Sequence, residues 1–185
     1  MITKICQEAE VNMKKIEDNF IKEINNLRLG RASVSLLEGI LVEYYGSKLP
    51  VNQIATISIP NPQTLVIQPW DKAIIDKIVK AIQASNLGLN PTFDATTIKI
   101  SVPPLSEERR KEMVKVLKKL EEQAKIEIRE IRRKVKEEIK KMEKEKKISE
   151  DDQFKATEKI QEITDRFIEE IEKKTLNKER EILES

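Results

Sequence analysis

Three segments of the chain place an apolar residue at every third or fourth position, which is the spacing of one face of an α-helix. They cover residues 2–29, residues 105–148 and the residues from 149 onwards. Charged side chains fill most other positions, so each segment is predicted to form an amphipathic helix. The apolar positions are Ile5, Ala9, Met13, Ile16, Phe20, Ile24 and Leu27; then Met113, Leu117, Leu120, Ala124, Ile128, Ile131, Val135, Ile139 and Met142; then Ala156, Ile160, Ile163, Phe167 and Ile171.

The second helix is predicted to be the longest, because neither Gly nor Pro interrupts residues 105–148. Its length of about 40 residues corresponds to roughly 60 Å at the rise of an α-helix. Ser106 is a candidate N-cap for it, and Ser149 with Asp152 has the pattern of a capping box at the start of the third helix.

The three apolar faces need partners, because a lone amphipathic helix would leave its apolar face in water. The short connection at residues 148–149 makes the second and third helices antiparallel neighbours, and the first helix is expected to pack against both. A coiled coil between chains is the alternative. The mixed spacing, without a regular Leu at the d position, favours an elongated antiparallel three-helix bundle within one chain.

Residues 31–104 have a different pattern, in which short alternating or β-branched runs are separated by Gly and Pro. Strands are predicted at 40–45, 55–59, 65–67 and 97–102, and a helix between Asp71 and Gly88. The fold class is therefore α+β, with a bundle of residues 1–30 and 105–185 and an inserted small β/α/β domain of residues 31–104. Two short crossings near 29–32 and 103–105 predict a hinge. The hinge residues are Gly30, Arg31, Ala32, Pro103 and Pro104.

Composition gives little support for catalysis. The chain has no histidine and a single cysteine, Cys6, and its four glycines are too scattered for a phosphate-binding loop. We therefore expect no catalytic residues, no metal site, no cofactor and no enzymatic activity. The lone cysteine is typical of a reducing compartment, and no apolar run is long enough to span a bilayer. The chain is predicted to be a cytoplasmic monomer that does not interact with membranes.

The total charge of +2 hides an uneven distribution. Residues 105–147 contain 17 Lys and Arg against 11 Asp and Glu, whereas residues 148–185 contain 7 against 12. A basic segment of this kind suggests a polyanionic partner, although charged helix faces are often merely solvated.

Three arginines stand out in the second helix. Arg129, Arg132 and Arg133 share a face, and neither Arg129 nor Arg132 has an acidic residue three or four positions away. Unpaired like charges of this kind would be stabilised by phosphate, whose geometry suits arginine. Acidic residues of the neighbouring helices are the alternative partners, and the residues alone do not decide between the two. Arg28 and Arg31 would extend the patch if the end of the first helix lies near it.

Several short motifs occur in an order that resembles the bacterial ribosome recycling factor family. Each is weak alone, but the ordered set is specific and spans essentially the whole chain. The motifs are residues 28–33 (RLGRAS), 36–37 (LL), 42–46 (VEYYG), 50–53 (PVNQ), 69–71 (PWD), 85–91 (SNLGLNP), 103–110 (PPLSEERR) and 128–133 (IREIRR).

The resemblance implies an L-shaped molecule in which the β/α/β domain is carried on a flexible joint. It also implies a function: binding to the post-termination ribosome and, with elongation factor G and GTP, separation of the subunits and release of mRNA. By motif position, the residues implied to contact large-subunit ribosomal RNA are Arg129, Arg132 and Arg133, with Arg28 and Arg31 nearby.

Four positions depart from the usual pattern of that family. Glu130 and Lys134 replace a more frequent Asn and a frequent acidic residue, and Ala95 and Lys99 replace Gly and Arg. Glu130 places a carboxylate beside the patch and is expected to weaken or redirect an RNA contact. Ala95 puts the geometry of its turn in question.

Overall fold

The computed structural model describes residues 2–184 and divides them into two compact units. One unit is formed by residues 2–28 and 106–184, and the other by residues 29–105. We call the first the helical unit and the second the β unit.

The helical unit, as far as it is described, contains the helices α1 (Ile2–Asn25), α3 (Glu107–Lys144) and α4 (Glu150–Glu184), each of which packs against the other two. Helices α3 and α4 run antiparallel. Lys118 pairs with Glu179, whereas Lys125, seven residues later in α3, pairs with Glu172, seven residues earlier in α4. The prediction of an antiparallel three-helix bundle within one chain is confirmed.

Local capping explains where α3 and α4 begin. The Ser106 hydroxyl accepts a hydrogen bond from the backbone N–H of Arg109, as expected of an N-cap. At the start of α4, Ser149 and Asp152 exchange hydrogen bonds between each side chain and the other backbone N–H, so the capping box is also present. The first helix is shorter than predicted, because α1 ends at Asn25 and not at residue 29.

The core of the helical unit follows the predicted apolar stripes closely. Ile128, Ile139, Ile160 and Ile171 are completely buried, and each contributes roughly 1.5–3 kcal/mol of hydrophobic stabilisation. Buried polar residues lie among them. Thr164 and Thr175 satisfy their hydroxyls by donating to the backbone carbonyl four residues earlier in α4, and Glu17 and Lys178 are buried as well.

The β unit contains, within residues 29–105, six strands and one α-helix. These are β1 (Leu41–Tyr44), β2 (Ser47–Pro50), β3 (Ala55–Asn61), β4 (Thr64–Pro69), α2 (Ile75–Ala84), β5 (Pro91–Phe93) and β6 (Ile98–Ser101). β1 and β2 form an antiparallel hairpin, and the other four strands form an antiparallel sheet in the order β3-β4-β6-β5. Helix α2 buries Ile75, Ile78, Val79 and Ile82 in a core shared with β1, β4 and β6. The predicted α+β class is therefore confirmed.

Three details of the β unit differ from the sequence-based expectations. β2 and β5 were not predicted, and β3 continues through Pro60, where the sequence suggested an end. Pro60 is tolerated because β3 is an edge strand and its pairing with β4 is irregular between Ser58 and Asn61. The single tryptophan, Trp70, is 69% exposed, and its indole N–H donates to the Thr56 hydroxyl.

The first and last residues of the β unit lie against each other. Gly30 has a left-handed φ of +64°, and a Cβ added there would lie 2.6 Å from the Leu105 backbone nitrogen and 3.0 Å from the Pro103 carbonyl oxygen. The two chain segments that meet here are also hydrogen-bonded to the β3–β4 turn. The Ala32 N–H donates to the Pro62 carbonyl, and the Val102 N–H donates to the Gln63 carbonyl. The crossing residues therefore belong to the packed β unit.

Candidate nucleic-acid interface

The arginines singled out in the sequence line one side of α3, which is held in place by the buried residues Ile128, Val135 and Ile139. They border a shallow, open depression of about 450 Å³ whose charged lining has a net charge of +3. Its lining residues are Ile126, Arg129, Glu130, Arg132, Arg133, Lys136, Glu137 and Lys140. We call this surface the basic depression.

Arg133 forms ion pairs with two glutamates of its own helix. Its Nη2 and Nε lie 2.6 and 3.2 Å from the two carboxylate oxygens of Glu130, and Nη1 lies 3.5 Å from Glu137. The hydrogen bonds from Arg133 lower the pKa of Glu130, and the same carboxylate raises the pKa of Arg133. Glu130 therefore binds an arginine of the patch directly, and its effect on an RNA contact stays a prediction.

Arg129 also has an acidic partner, at a spacing beyond the three or four positions considered in the sequence. Its Nη1 lies 3.2 Å from a carboxylate oxygen of Glu122, seven residues earlier in α3. Seven residues are close to two helical turns, so the two side chains are on the same face. Arg129 has no acidic residue three or four positions away, as the sequence shows, but it pairs with Glu122 two turns away.

The charge of Arg132 is not paired with a carboxylate in the described part of the chain. Its Nη1 lies 3.4 Å from the amide oxygen of Gln161 in α4, and among residues 2–184 it forms no ion pair. Lys136 is bound in the same way, with its Nζ 3.1 Å from the same oxygen. The neighbouring helix therefore offers Arg132 a neutral amide and not the carboxylate that the alternative interpretation required.

Lys136 and Lys140 are cations of the depression that the sequence interpretation did not include. They follow Arg132 at intervals of four residues, which places all three on one face of α3. This spacing was visible in the sequence, but the many lysines of residues 105–147 concealed it.

Other kinds of chemical site are not found in the described part of the chain. Residues 2–184 contain no group of His, Cys, Asp and Glu side chains arranged to hold a metal ion. Cys6 is buried in the helical unit, and this burial raises the pKa of its thiol. No helix within residues 2–184 combines the length and the apolar character needed to cross a bilayer.

Comparison with known proteins identifies the family. Residues 20–183 match the family model described as "Ribosome recycling factor". The chain belongs to the ribosome recycling factor family. Curated relatives include the ribosome-recycling factors of Symbiobacterium thermophilum and Syntrophobacter fumaroxidans, which are 47% and 50% identical over the full length of both chains. Members of this family are translation factors and not enzymes, in agreement with the prediction from composition.

Solved structures of the family have the same fold. A solution structure of the ribosome recycling factor is 44% identical, has a TM-score of 0.80 and is matched over 100% of this chain and 98% of that one. A second match, with 41% identity and a TM-score of 0.65, covers 99% of both chains. It belongs to models of the Thermus thermophilus ribosome recycling factor and the Escherichia coli elongation factor G bound to the E. coli post-termination complex.

The remaining family-related residues lie away from the basic depression or in the other unit. Arg28 follows α1 in the helical unit, whereas Arg31 is an exposed residue of the β unit. Lys134 lines a different depression, between α1 and α3, but its charge still acts on Glu130: it adds to the hydrogen bond from Arg133 in lowering the pKa of that carboxylate. Ala95 has no positive φ, and Asp94 holds its turn by accepting hydrogen bonds from Thr96 and Thr97; the turn therefore forms without glycine.

Proposed function

We propose that this protein binds the post-termination ribosome in the cytoplasm and, with elongation factor G and GTP, promotes subunit dissociation and release of mRNA. The observation that carries this proposal is the match to ribosome recycling factors over the full chain at 47–50% identity. Models of the related T. thermophilus factor and of elongation factor G bound to a post-termination complex support the ribosome and elongation factor G as partners.

We propose the basic depression as the surface that contacts large-subunit ribosomal RNA. Arg132, Lys136 and Lys140 form no ion pair within the described part of the chain, so their charges remain available to phosphates. Arg129 and Arg133 border the same surface and can exchange carboxylate for phosphate in the bound state. By motif position, Arg28 and Arg31 are proposed as further RNA contacts.

We propose that the flexible joint lies at the outer ends of the two crossings, which contain Gly30, Arg31, Ala32, Pro103 and Pro104. The close approach of Gly30 to Leu105 favours bending at the outer ends of these crossings, at residues 28–29 and 105–106. Elongation factor G could then move the β unit as one body.

The function is tested by breakdown of polysomes with the purified chain, elongation factor G and GTP. We expect breakdown only when all three are present, and a chain that leaves polysomes intact would overturn the proposal.

The surface is tested by cosedimentation of Arg132→Ala with 50S subunits at increasing salt. Binding through phosphate contacts falls with salt, and loss of one contact reduces the slope of log K against log salt by about one. Arg180→Ala is the matched control, because it removes an equal charge from α4 outside the depression. If Arg132→Ala binds as the control does, with equal helical content, the assignment of the surface is wrong.

A further inference from the structure

One neutral side chain of α4 contacts two of the unpaired cations of the basic depression. The Gln161 amide oxygen accepts from both Arg132 Nη1 and Lys136 Nζ, at 3.4 and 3.1 Å. These contacts join α4 to the depression, and all three residues are only partly exposed.

The orientation of this amide is determined by its third contact. Gln161 Nε2 donates to the Asp165 carboxylate at 2.8 Å, one turn further along α4. A carboxylate can only accept, and the arginine and lysine groups can only donate. The amide oxygen must therefore face the two cations, while the amide nitrogen faces Asp165.

A glutamine at this position differs in one respect from the acidic residues that contact the other arginines. Glu122 and Glu130 each place a negative charge beside the arginine that they bind, whereas an amide holds its cations by its dipole and adds no charge. Holding long side chains in place also lowers the entropy that they lose when a ligand immobilises them.

We propose that Gln161 is a positioning residue of the RNA-binding surface: it holds Arg132 and Lys136 in place for phosphates while preserving their charge. This inference rests on the proposed function of the depression. It assigns a role in RNA binding to α4, a helix of which no described residue lines that surface.

The test measures binding of full-length variants to 50S subunits between 50 and 200 mM salt. Gln161→Glu adds a carboxylate in contact with both cations and should lower affinity and reduce the salt slope by about one. Each phosphate contact contributes about 0.9 to the slope of log K against log salt. The ratio of wild-type to variant affinity should therefore be roughly threefold larger at 50 mM than at 200 mM salt. Gln161→Leu removes the hydrogen bonds without adding charge, so it should weaken binding at every salt concentration and leave the slope unchanged.

Gln123→Glu is the matched control. It makes the same chemical change on α3, nine residues and therefore two and a half turns from Arg132, on the opposite face of the helix. It should leave both the affinity and the salt slope close to those of the wild type. Circular dichroism and thermal unfolding of each variant establish that the bundle is intact.

A double-mutant comparison separates positioning from direct contact. In a chain that already carries Arg132→Ala and Lys136→Ala, Gln161→Leu should have no further effect on affinity, because the cations through which it acts are absent.

Three outcomes would count against the inference. An equal loss in both backgrounds would show that Gln161 contacts the ribosome itself and would overturn the positioning role. Normal binding by both Gln161 variants, with weak binding by Arg132→Ala, would overturn the role of Gln161 alone. Normal binding by all of these variants would overturn the assignment of the surface as well, and polysome breakdown by the wild type would then still measure the function separately.

Discussion

Replacement of Gly30 by alanine should destabilise the β unit more than the same replacement at Gly88. The two glycines have φ values of +64° and +65°, so the backbone cost of a Cβ, about 1–2 kcal/mol, is common to both. At Gly88 the added Cβ would meet no atom within 4 Å. At Gly30 it would lie 2.6 Å from the Leu105 backbone nitrogen, and the two chain segments must separate, as in overpacked cores, at a cost of about 1–3 kcal/mol.

The two contributions add to a loss of roughly 2–5 kcal/mol for Gly30→Ala, against 1–2 kcal/mol for Gly88→Ala. Urea unfolding can resolve this loss, because the only tryptophan of the chain, Trp70, belongs to the β unit. Its fluorescence reports on that unit, whereas circular dichroism at 222 nm is dominated by the three long helices. We expect the fluorescence transition to move to lower urea in both variants, and considerably further in Gly30→Ala.

Equal losses for the two variants would refute this reasoning. They would mean that Leu105 moves aside without cost, and that the crossing is not a packed part of the β unit. The proposed position of the joint, at residues 28–29 and 105–106, would then lose its physical support.

Two further changes have defined outcomes. Hydrogen bonds from the backbone N–H groups of Thr96 and Thr97 lower the pKa of Asp94 from 3.8 to about 2. The stabilisation by this carboxylate is therefore complete above about pH 4 and is lost as the pH falls towards 2. The difference in urea midpoint between wild type and Asp94→Asn should shrink over that interval. A constant difference would contradict the role of these hydrogen bonds. Glu130→Gln should leave Arg133 with the more distant Glu137 as its only acidic partner and raise affinity for 50S subunits at low salt, with a steeper salt slope. Unchanged binding in the cosedimentation assay would show that Glu130 does not limit the surface.

The helices of the bundle could be predicted from the sequence because their limits are set by local interactions. Ser106 and Ser149 cap α3 and α4 through residues three positions away. The end of α1 was less predictable, since Leu27 continues the apolar spacing beyond the last helical residue. There the Leu27 N–H donates to the Ile24 carbonyl, three residues earlier, so the last turn tightens and the helix stops.

The small strands escaped prediction for a different reason. β2 and β5 have only four and three residues, and neither contains a fully buried position that would produce an alternating pattern. β2 exists because Tyr45 and Gly46 both adopt positive φ, which folds the chain back onto β1 in a tight hairpin.

The arginines of the candidate surface could be found from spacing along one helix, but their partners could not all be found in this way. Glu122 lies two turns from Arg129, beyond the one-turn spacing of most ion pairs within a helix, and Gln161, which contacts Arg132, lies 29 residues further along the chain in α4. That second contact depends on the register of α4 against α3, which is a property of the folded bundle.

The contact between Gly30 and Leu105 also bears on the order of folding. The bundle is assembled from two pieces of chain separated by the β unit, and closing a flexible loop of this length would cost about 4 kcal/mol of entropy. A folded β unit has already brought residues 30 and 105 together, so most of the loop-closure entropy has been lost before α1 docks. The α3–α4 pair is formed by neighbouring segments and can fold on its own timescale, whereas rapid docking of α1 depends on the inserted domain being folded first.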